Sequence, residues 1–212
     1  MNFYSVFLKR FLDIFISLSA IIILSPLFII IILSIKIDST GPVFFRQTRV
    51  GRKGDKFKIW KFRSMLIFEE SFYSDGTEIS NYNRITKVGN FLRKTSLDEL
   101  PQLINILVGD MSLIGPRPTL EYQVERYNNF QLKRLEVRPG LTGLAQINGR
   151  NSLTWKEKID YDVSYVENLS LIMDLKIFLK TFVVLLRQED NKFISPDELS
   201  AHKRTVEEDV NK

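Results

Sequence analysis

Between Ile14 and Ile35 the chain carries 22 consecutive residues without a charge. At 1.5 Å rise per residue a helix of that length is about 33 Å long, enough for a hydrocarbon core of roughly 30 Å. The run is too long for the apolar core of a signal peptide, and no small-residue cleavage site follows it. Two features complicate a simple span. Ser25-Pro26 interrupts it near the middle, where proline removes a helix hydrogen bond and bends or breaks the helix. Both flanks are basic: Lys9 and Arg10 before, and Lys36, Arg46, Arg49, Arg52 and Lys53 after. A positive-inside bias places both ends on the same side. A re-entrant helical hairpin over residues 1–37 satisfies both observations, and a Pro-kinked transmembrane helix is the alternative that this stretch leaves open.

The formal charge of +5 is unevenly spread. Residues 189–212 hold seven acids against four bases, a balance of −3 that leaves +8 for residues 1–188. A basic body suits phosphate-bearing partners: nucleic acid, anionic lipid or a phosphorylated substrate. With no cysteine there is no disulfide framework, thiolate zinc site or cysteine nucleophile. The single histidine, His202, lies in the polar tail, which removes Ser-His-Asp arrangements and multi-histidine metal sites. Neither a GxxxxGK[ST] loop nor a GxGxxG fingerprint occurs. Chemistry on this chain therefore falls to carboxylates, Lys, Tyr or Ser/Thr.

Residues 38–63 change character. Gly41-Pro42 opens a turn, VFFRQTRV and KFKIWKF read as two short strands, and Gly51-Arg52-Lys53-Gly54 reads as the hairpin loop between them. From Lys36 to Arg63 there are nine bases and two acids, interleaved with aromatics. Beside a membrane segment such a ribbon suits lipid headgroups or a polyphosphate more than RNA. Residues 69–90 are polar and turn-rich and are expected to form a mobile loop, typically a lid.

Residues 93–118, RKTSLDELPQLINILVGDMSLIGPRP, hold the densest chemistry. Leu100, Leu103, Ile104, Leu107 and Val108 recur with the spacing of one apolar helix face, and Gly109 follows as a stop. Asp98 and Glu99 stand at the start of that helix, with Pro101 in its first turn. Helix starts gather anions. Ser96-Leu97-Asp98-Glu99 is also a capping box, which would stabilise a helix by about 1 kcal/mol and carry no chemistry. Arg93 before the acids and Arg117, on the stiff turn Gly115-Pro116-Arg117-Pro118 after them, bracket the pair with cations.

Further on, Tyr122 to Leu135 reads as a solvated packing helix. RPGLTGLAQINGR, Arg138 to Arg150, holds three glycines that could let backbone approach a ligand. Asp160-Tyr161-Asp162 has the form of the DxD metal motif of nucleotide-sugar glycosyltransferases, but it sits in a helix-like segment and is expected at the surface. Residues 169–188 are apolar with scattered charges, suited to an interfacial helix or to packing on the hairpin. Residues 189–212 read as a disordered tail.

Taken together, Ser25-Pro26 in the apolar segment, GPVFFRQTRVG, KFRSM, SLDELPQLINILVGDMSLIGPRP and RPGLTGLAQINGR, in that order, resemble the bacterial sugar transferase family, the monotopic polyprenyl-phosphate phosphoglycosyl transferases in their minimal, core-only form. The resemblance covers about residues 6–188 and implies an α+β, mainly helical, membrane-associated fold: the re-entrant hairpin, a cytoplasmic catalytic domain over residues 38–188 with a small β-hairpin and interfacial amphipathic helices, and the tail. It implies transfer of a sugar phosphate from a UDP-sugar to undecaprenyl phosphate at the cytoplasmic face of the bacterial inner membrane, with release of UMP. Phospholipid and downstream glycosyltransferases would be partners, and nucleic acid would not.

By position Asp98 matches the family nucleophile and Glu99 its acidic partner. Mg²⁺ is the implied cofactor, held by Glu99 or Asp98. Arg93, Arg117 and Arg150 match arginines used near the phosphates, and Lys61 and Arg63 would face headgroups or the lipid phosphate. The rival reading is a membrane-anchored lipid- or RNA-binding adaptor without catalysis.

Overall fold

The computed structural model describes residues 4–71, 84–150 and 152–187. Within them the chain is mainly helical, with two small two-stranded sheets. After a π-helical turn at Tyr4–Leu8, helix α1 runs over Lys9–Ile23 and α2 over Ser25–Asp38. The two are bent by 62° at Leu24, and among the described residues no single helix is long and apolar enough to cross a membrane. Pro26 sits in the first turn of α2, where its missing N–H costs nothing, and the Ser25 hydroxyl donates to the Ile22 carbonyl at 2.8 Å.

The apolar face of α1 points away from the protein. Phe7, Phe11, Phe15, Leu18 and Ile22, spaced by about one turn, are exposed, while Asp13 and Ser17 are buried. The inward face is held by polar bonds. Asp13 Oδ1 accepts from the Leu113 N–H (2.9 Å) and the Ser112 hydroxyl (3.1 Å), and Arg10 donates to the carbonyls of Ile106 (2.6 Å) and Leu107 (2.9 Å). α2 docks by apolar contact instead. Its Ile31 and Ile35 form a core cluster with Phe62 and Leu92.

Strands β1 (Phe44–Val50) and β2 (Lys56–Phe62) pair antiparallel, Phe44 opposite Phe62 and Val50 opposite Lys56, with a tight loop between them as the glycines predict. Helix α3 (Lys87–Thr95) is capped twice: the Thr86 hydroxyl accepts from the Gly89 N–H (3.0 Å), and Asp38 accepts from the Val88 N–H (3.1 Å). A 3₁₀ turn at Leu97–Glu99 leads into α4 (Gln102–Val108). Leu103 and Ile106 of α4 bury against Ile59 and Met111. The buried Asn105 ties α4 to the edge of β2, donating to the Lys58 carbonyl and accepting from the Trp60 N–H, both at 2.9 Å.

Strand β3 (Ser112–Ile114) pairs in parallel with β4 (Gly140–Thr142). Between them the expected single helix is three short pieces, α5 (Glu121–Val124), α6 (Asn129–Leu132) and a 3₁₀ turn at Lys133–Glu136. Helices α7 (Leu144–Ile147), α8 (Trp155–Glu167) and α9 (Leu171–Arg187) follow and enclose a cluster of Ile114, Ile147, Tyr165 and Ile177. Residues 72–83 of the expected lid and the whole tail from 188 lie outside the described residues.

Two glycines of the 138–150 stretch, Gly140 and Gly143, pack against backbone. A Cβ on Gly140 would stand 2.1 Å from the Gly115 nitrogen, and one on Gly143 2.1 Å from the Gly115 oxygen. Backbone meets backbone here, and it locks β4 against the turn that carries Arg117.

Candidate active site

The acid pair rides on one short turn with apolar pins on both sides. Leu97 and Leu100 pack into the Ile31, Ile35, Phe62 and Leu92 cluster, and Asp98 and Glu99 between them are turned toward Lys61 and Arg117 and largely buried. The capping box is not formed. Ser96 adopts a left-handed conformation (φ 58°) and makes no side-chain cap bond; it closes α3 by donating its N–H to the Arg93 carbonyl at 3.3 Å. An N-cap needs extended backbone. The chain instead reverses from α3 into the 3₁₀ turn at this one residue, so capping does not account for the acids. The helix face differs as well: Gln102, Leu103, Asn105 and Ile106 are buried, whereas Val108 is exposed.

Lys61 and Arg117 converge on Glu99. Lys61 Nζ lies 2.6 Å from Glu99 Oε1 and 3.9 Å from Asp98 Oδ2. Arg117 grips the same carboxylate with both prongs of its fork, Nη2 to Oε1 at 2.5 Å and Nη1 to Oε2 at 3.4 Å. The two carboxyls respond oppositely. Burial and then the charge of Glu99 push Asp98 up to about 6, against the pull of Lys61, Arg93 and Arg117. Burial also penalises ionised Glu99, but Arg117 and Lys61 outweigh it and hold that carboxyl well below the usual range. Glu99 is thus a locked carboxylate, and Asp98 is a more weakly stabilised one beside it.

Other predicted positions fall out differently. Arg93 lies in the last turn of α3 and adds to the field on Asp98. Arg150 lies just past α7 in a left-handed conformation, φ 46°. Lys61 turns toward the acids rather than outward. Arg63 does not face headgroups: it is buried and donates to the carbonyls of Ser39 (2.8 Å) and Thr40 and to the Ser39 hydroxyl (2.9 Å), clamping the end of α2 to β2.

The Asp160-Tyr161-Asp162 motif splits. Asp160 is exposed as expected, but Asp162 is buried, 2.5 Å from Arg134 Nη2. Neighbours two apart on a helix point in different directions, so the two acids share no ligand. Sequence reasoning missed Arg134. The same Nη2 donates to the Arg117 carbonyl at 2.9 Å, and Nη1 donates to the Tyr127 hydroxyl at 2.6 Å. A buried ion pair between α8 and the Lys133–Glu136 turn therefore holds the backbone of the arginine that grips Glu99. Ile159, Val163 and Val166, which surround Asp162 at helical spacing, were the available sign of a face pointing inward.

Among the described residues no group of three or more acidic, histidine or cysteine side chains could hold a metal ion. Two adjacent carboxylates do fit Mg²⁺, which takes one or two carboxylates and fills its remaining positions with water and substrate phosphates.

The profile of the bacterial sugar transferase family matches residues 4–188. The chain is 41% identical over 187 residues to the exopolysaccharide production protein ExoY of Sinorhizobium fredii, covering 82% of this chain and 83% of that one. It is 42% identical over 182 residues to the uncharacterized sugar transferase EpsL of Bacillus subtilis, covering 86% and 89%. A UDP-glucose:undecaprenyl-phosphate glucose-1-phosphate transferase of Escherichia coli is 44% identical over 185 residues, but those cover 82% of this chain and only 39% of that protein. The chain thus spans most of the shorter relatives and about two fifths of the longer one. With the family profile spanning nearly all of its described length, this protein belongs to the bacterial sugar transferase family.

Proposed function

We propose that this protein transfers a sugar 1-phosphate from a UDP-sugar to undecaprenyl phosphate, releasing UMP, through a covalent intermediate on Asp98. The observation that carries the assignment of roles is the asymmetry of the acid pair. Both oxygens of Glu99 are committed to Arg117 and Lys61, while Asp98 stands 3.9 Å from Lys61 and is held up at about 6. At neutral pH such a carboxylate is ionised yet poorly solvated, which suits a nucleophile. Relatives whose printed names specify undecaprenyl-phosphate transfer of glucose 1-phosphate or galactose phosphate support the reaction class.

In the first step an Asp98 oxygen attacks the phosphorus that bears the sugar, and the bond from that phosphorus to the bridging oxygen breaks, sending the oxygen away with UMP. In the second, a phosphate oxygen of undecaprenyl phosphate attacks the same phosphorus and displaces Asp98, leaving a polyprenyl diphosphate sugar that a downstream glycosyltransferase could extend. Arg117, Lys61 and Arg93 supply positive charge beside the reacting phosphate. Glu99 fixes Arg117 and Lys61 in place. Mg²⁺ held by Asp98, or by Glu99 in place of one of its contacts to Arg117 and Lys61, would offset the charge of the diphosphate and the leaving UMP.

The outward apolar faces of α1 and α2, with Ile29, Ile30 and Leu33 exposed on the latter, support insertion of the bent pair into the cytoplasmic leaflet of the bacterial inner membrane. α9 carries a second apolar face. Leu175, Leu179, Phe182 and Leu186 lie exposed on it at helical spacing, as an interfacial helix against phospholipid requires.

The test is intact-protein mass with Mg²⁺ and a panel of UDP-sugars, without acceptor and then with it. An added sugar phosphate, absent in Asp98→Asn, and UMP as the product nucleotide are expected. Turnover by Asp98→Asn, or release of UDP in place of UMP, would remove the mechanism.

A further inference from the structure

Charge around Arg117 does not balance. The three acids near it, Asp98, Glu99 and Asp162, are engaged by Lys61, Arg93, Arg117 and Arg134. Two further cations are brought to the same place by the fold. Arg49 is the penultimate residue of β1, and the next residue, Val50, donates its N–H to the Thr119 carbonyl at 2.9 Å, drawing the strand end against the segment that carries Arg117. Lys158 lies one turn before Asp162 on α8, and Asp162 reaches the Arg117 carbonyl through Arg134.

Both side chains are half-buried, and among the described residues neither forms an ion pair with an acid. The described bond of Arg49 is to Gln47 Oε1 at 2.7 Å, and its buried Nε–H has no acceptor. Burial first, and then the charge of Arg117, lower the affinity of both groups for their protons. Three like charges gathered in a partly dry site repel, and an unpaired guanidinium N–H buried there adds to the cost. A polyanion would relieve both at once.

We propose that Arg49 and Lys158, gathered near Arg117, form a phosphate-oxyanion site beside the acid pair. It rests on the transferase reading for its ligand, since that reaction presents two such groups: the diphosphate of the donor and the phosphomonoester of the acceptor. A guanidinium and an ammonium near Arg117 offer donors to oxygens that Arg117, committed to Glu99, cannot hold alone.

Binding of UDP and of farnesyl phosphate, each with Mg²⁺, measured on the full chain in the Asp98→Asn background, tests this without turnover. Arg49→Gln and Lys158→Gln should weaken one ligand by about tenfold or more, and Arg49→Lys and Lys158→Arg should recover most of it. Loss for UDP, with slower adduct formation in the Asp98 protein, assigns the site to the donor. Loss for farnesyl phosphate, with slower discharge of a preformed adduct, assigns it to the acceptor. The proposal is overturned if the glutamine variants bind both ligands within about twofold of their parent, or if the charge-conserving variants lose as much as the glutamine ones. Should the wild type yield no UMP from any UDP-sugar, the transferase reading fails while the binding comparison still decides the site.

Discussion

Holding Asp98 ionised costs folding energy. A carboxyl raised to about 6 from the ordinary value near 3.9 binds its proton more tightly folded than unfolded, so the ionised group opposes folding above about pH 6, and the cost fades as pH falls toward 4. Two units correspond to at most about 3 kcal/mol, and residual solvent at the side chain reduces this to about 1–3 kcal/mol. Asp98→Asn, which mimics the protonated form, should therefore be the more stable protein at pH 7.5 in EDTA, with the advantage shrinking at pH 5. Thermal melts of both proteins in one detergent decide it, and an Asp98→Asn protein less stable at pH 7.5 would show the carboxylate to be net stabilised there. The adjacency of Asp98 and Glu99 was legible in the sequence; their division was not. It arises from Lys61 and Arg117, which lie far from the pair in sequence and reach it only through the β-hairpin and the β3 to β4 packing. Arg63 and Asp162 escaped for a related reason: sequence reports a charge but not whether burial comes with a partner, as it does for Arg63 at the Ser39 and Thr40 carbonyls.

At the level of elements, local pattern foretold what local forces decide. The Ser25-Pro26 break, both strands of the hairpin and their glycine loop appear where turn chemistry puts them. The capping box failed because the α3 to α4 reversal demanded a left-handed Ser96, a tertiary requirement that overrides a local preference. Helix α1 reverses the usual rule, with polar residues in and apolar residues out, and counting uncharged residues from Ile14 onward passed over Asp13, the residue that docks it. Asp13→Ala would leave the Leu113 N–H without its acceptor beneath α1, a loss of about 1–3 kcal/mol. At about 2–4 °C per kcal/mol for a domain of this size, the melting temperature should fall by roughly 2–12 °C. Asp13→Asn keeps an oxygen acceptor and should lose less. Equal losses in the two variants, measured by melting in detergent, would mean that the charge, and not the hydrogen bond to β3, holds the helix.

For the molecule as a whole, two forces could bring it to a membrane, and they respond oppositely to salt. The basic hairpin offers electrostatic attraction to anionic lipid, which acts over a Debye length of about 8 Å at physiological ionic strength and about 3 Å at 1 M. The outward faces of α1, α2 and α9 offer apolar area instead, and each large side chain moved out of water is worth about 1.5–3 kcal/mol. With more than ten such side chains exposed across the three helices, the apolar term exceeds anything that a few basic residues supply at about 1 kcal/mol each near the surface. Purified protein reconstituted into vesicles should therefore stay with the lipid through a 1 M NaCl wash, and should bind neutral and anionic vesicles to within a few-fold. Flotation of the washed vesicles measures both. Release by salt, or binding confined to anionic lipid, would mean that the chain rests on the surface through its basic ribbon, as an adaptor would, and that the 62° bend at Leu24 shapes a surface contact rather than an inserted hairpin.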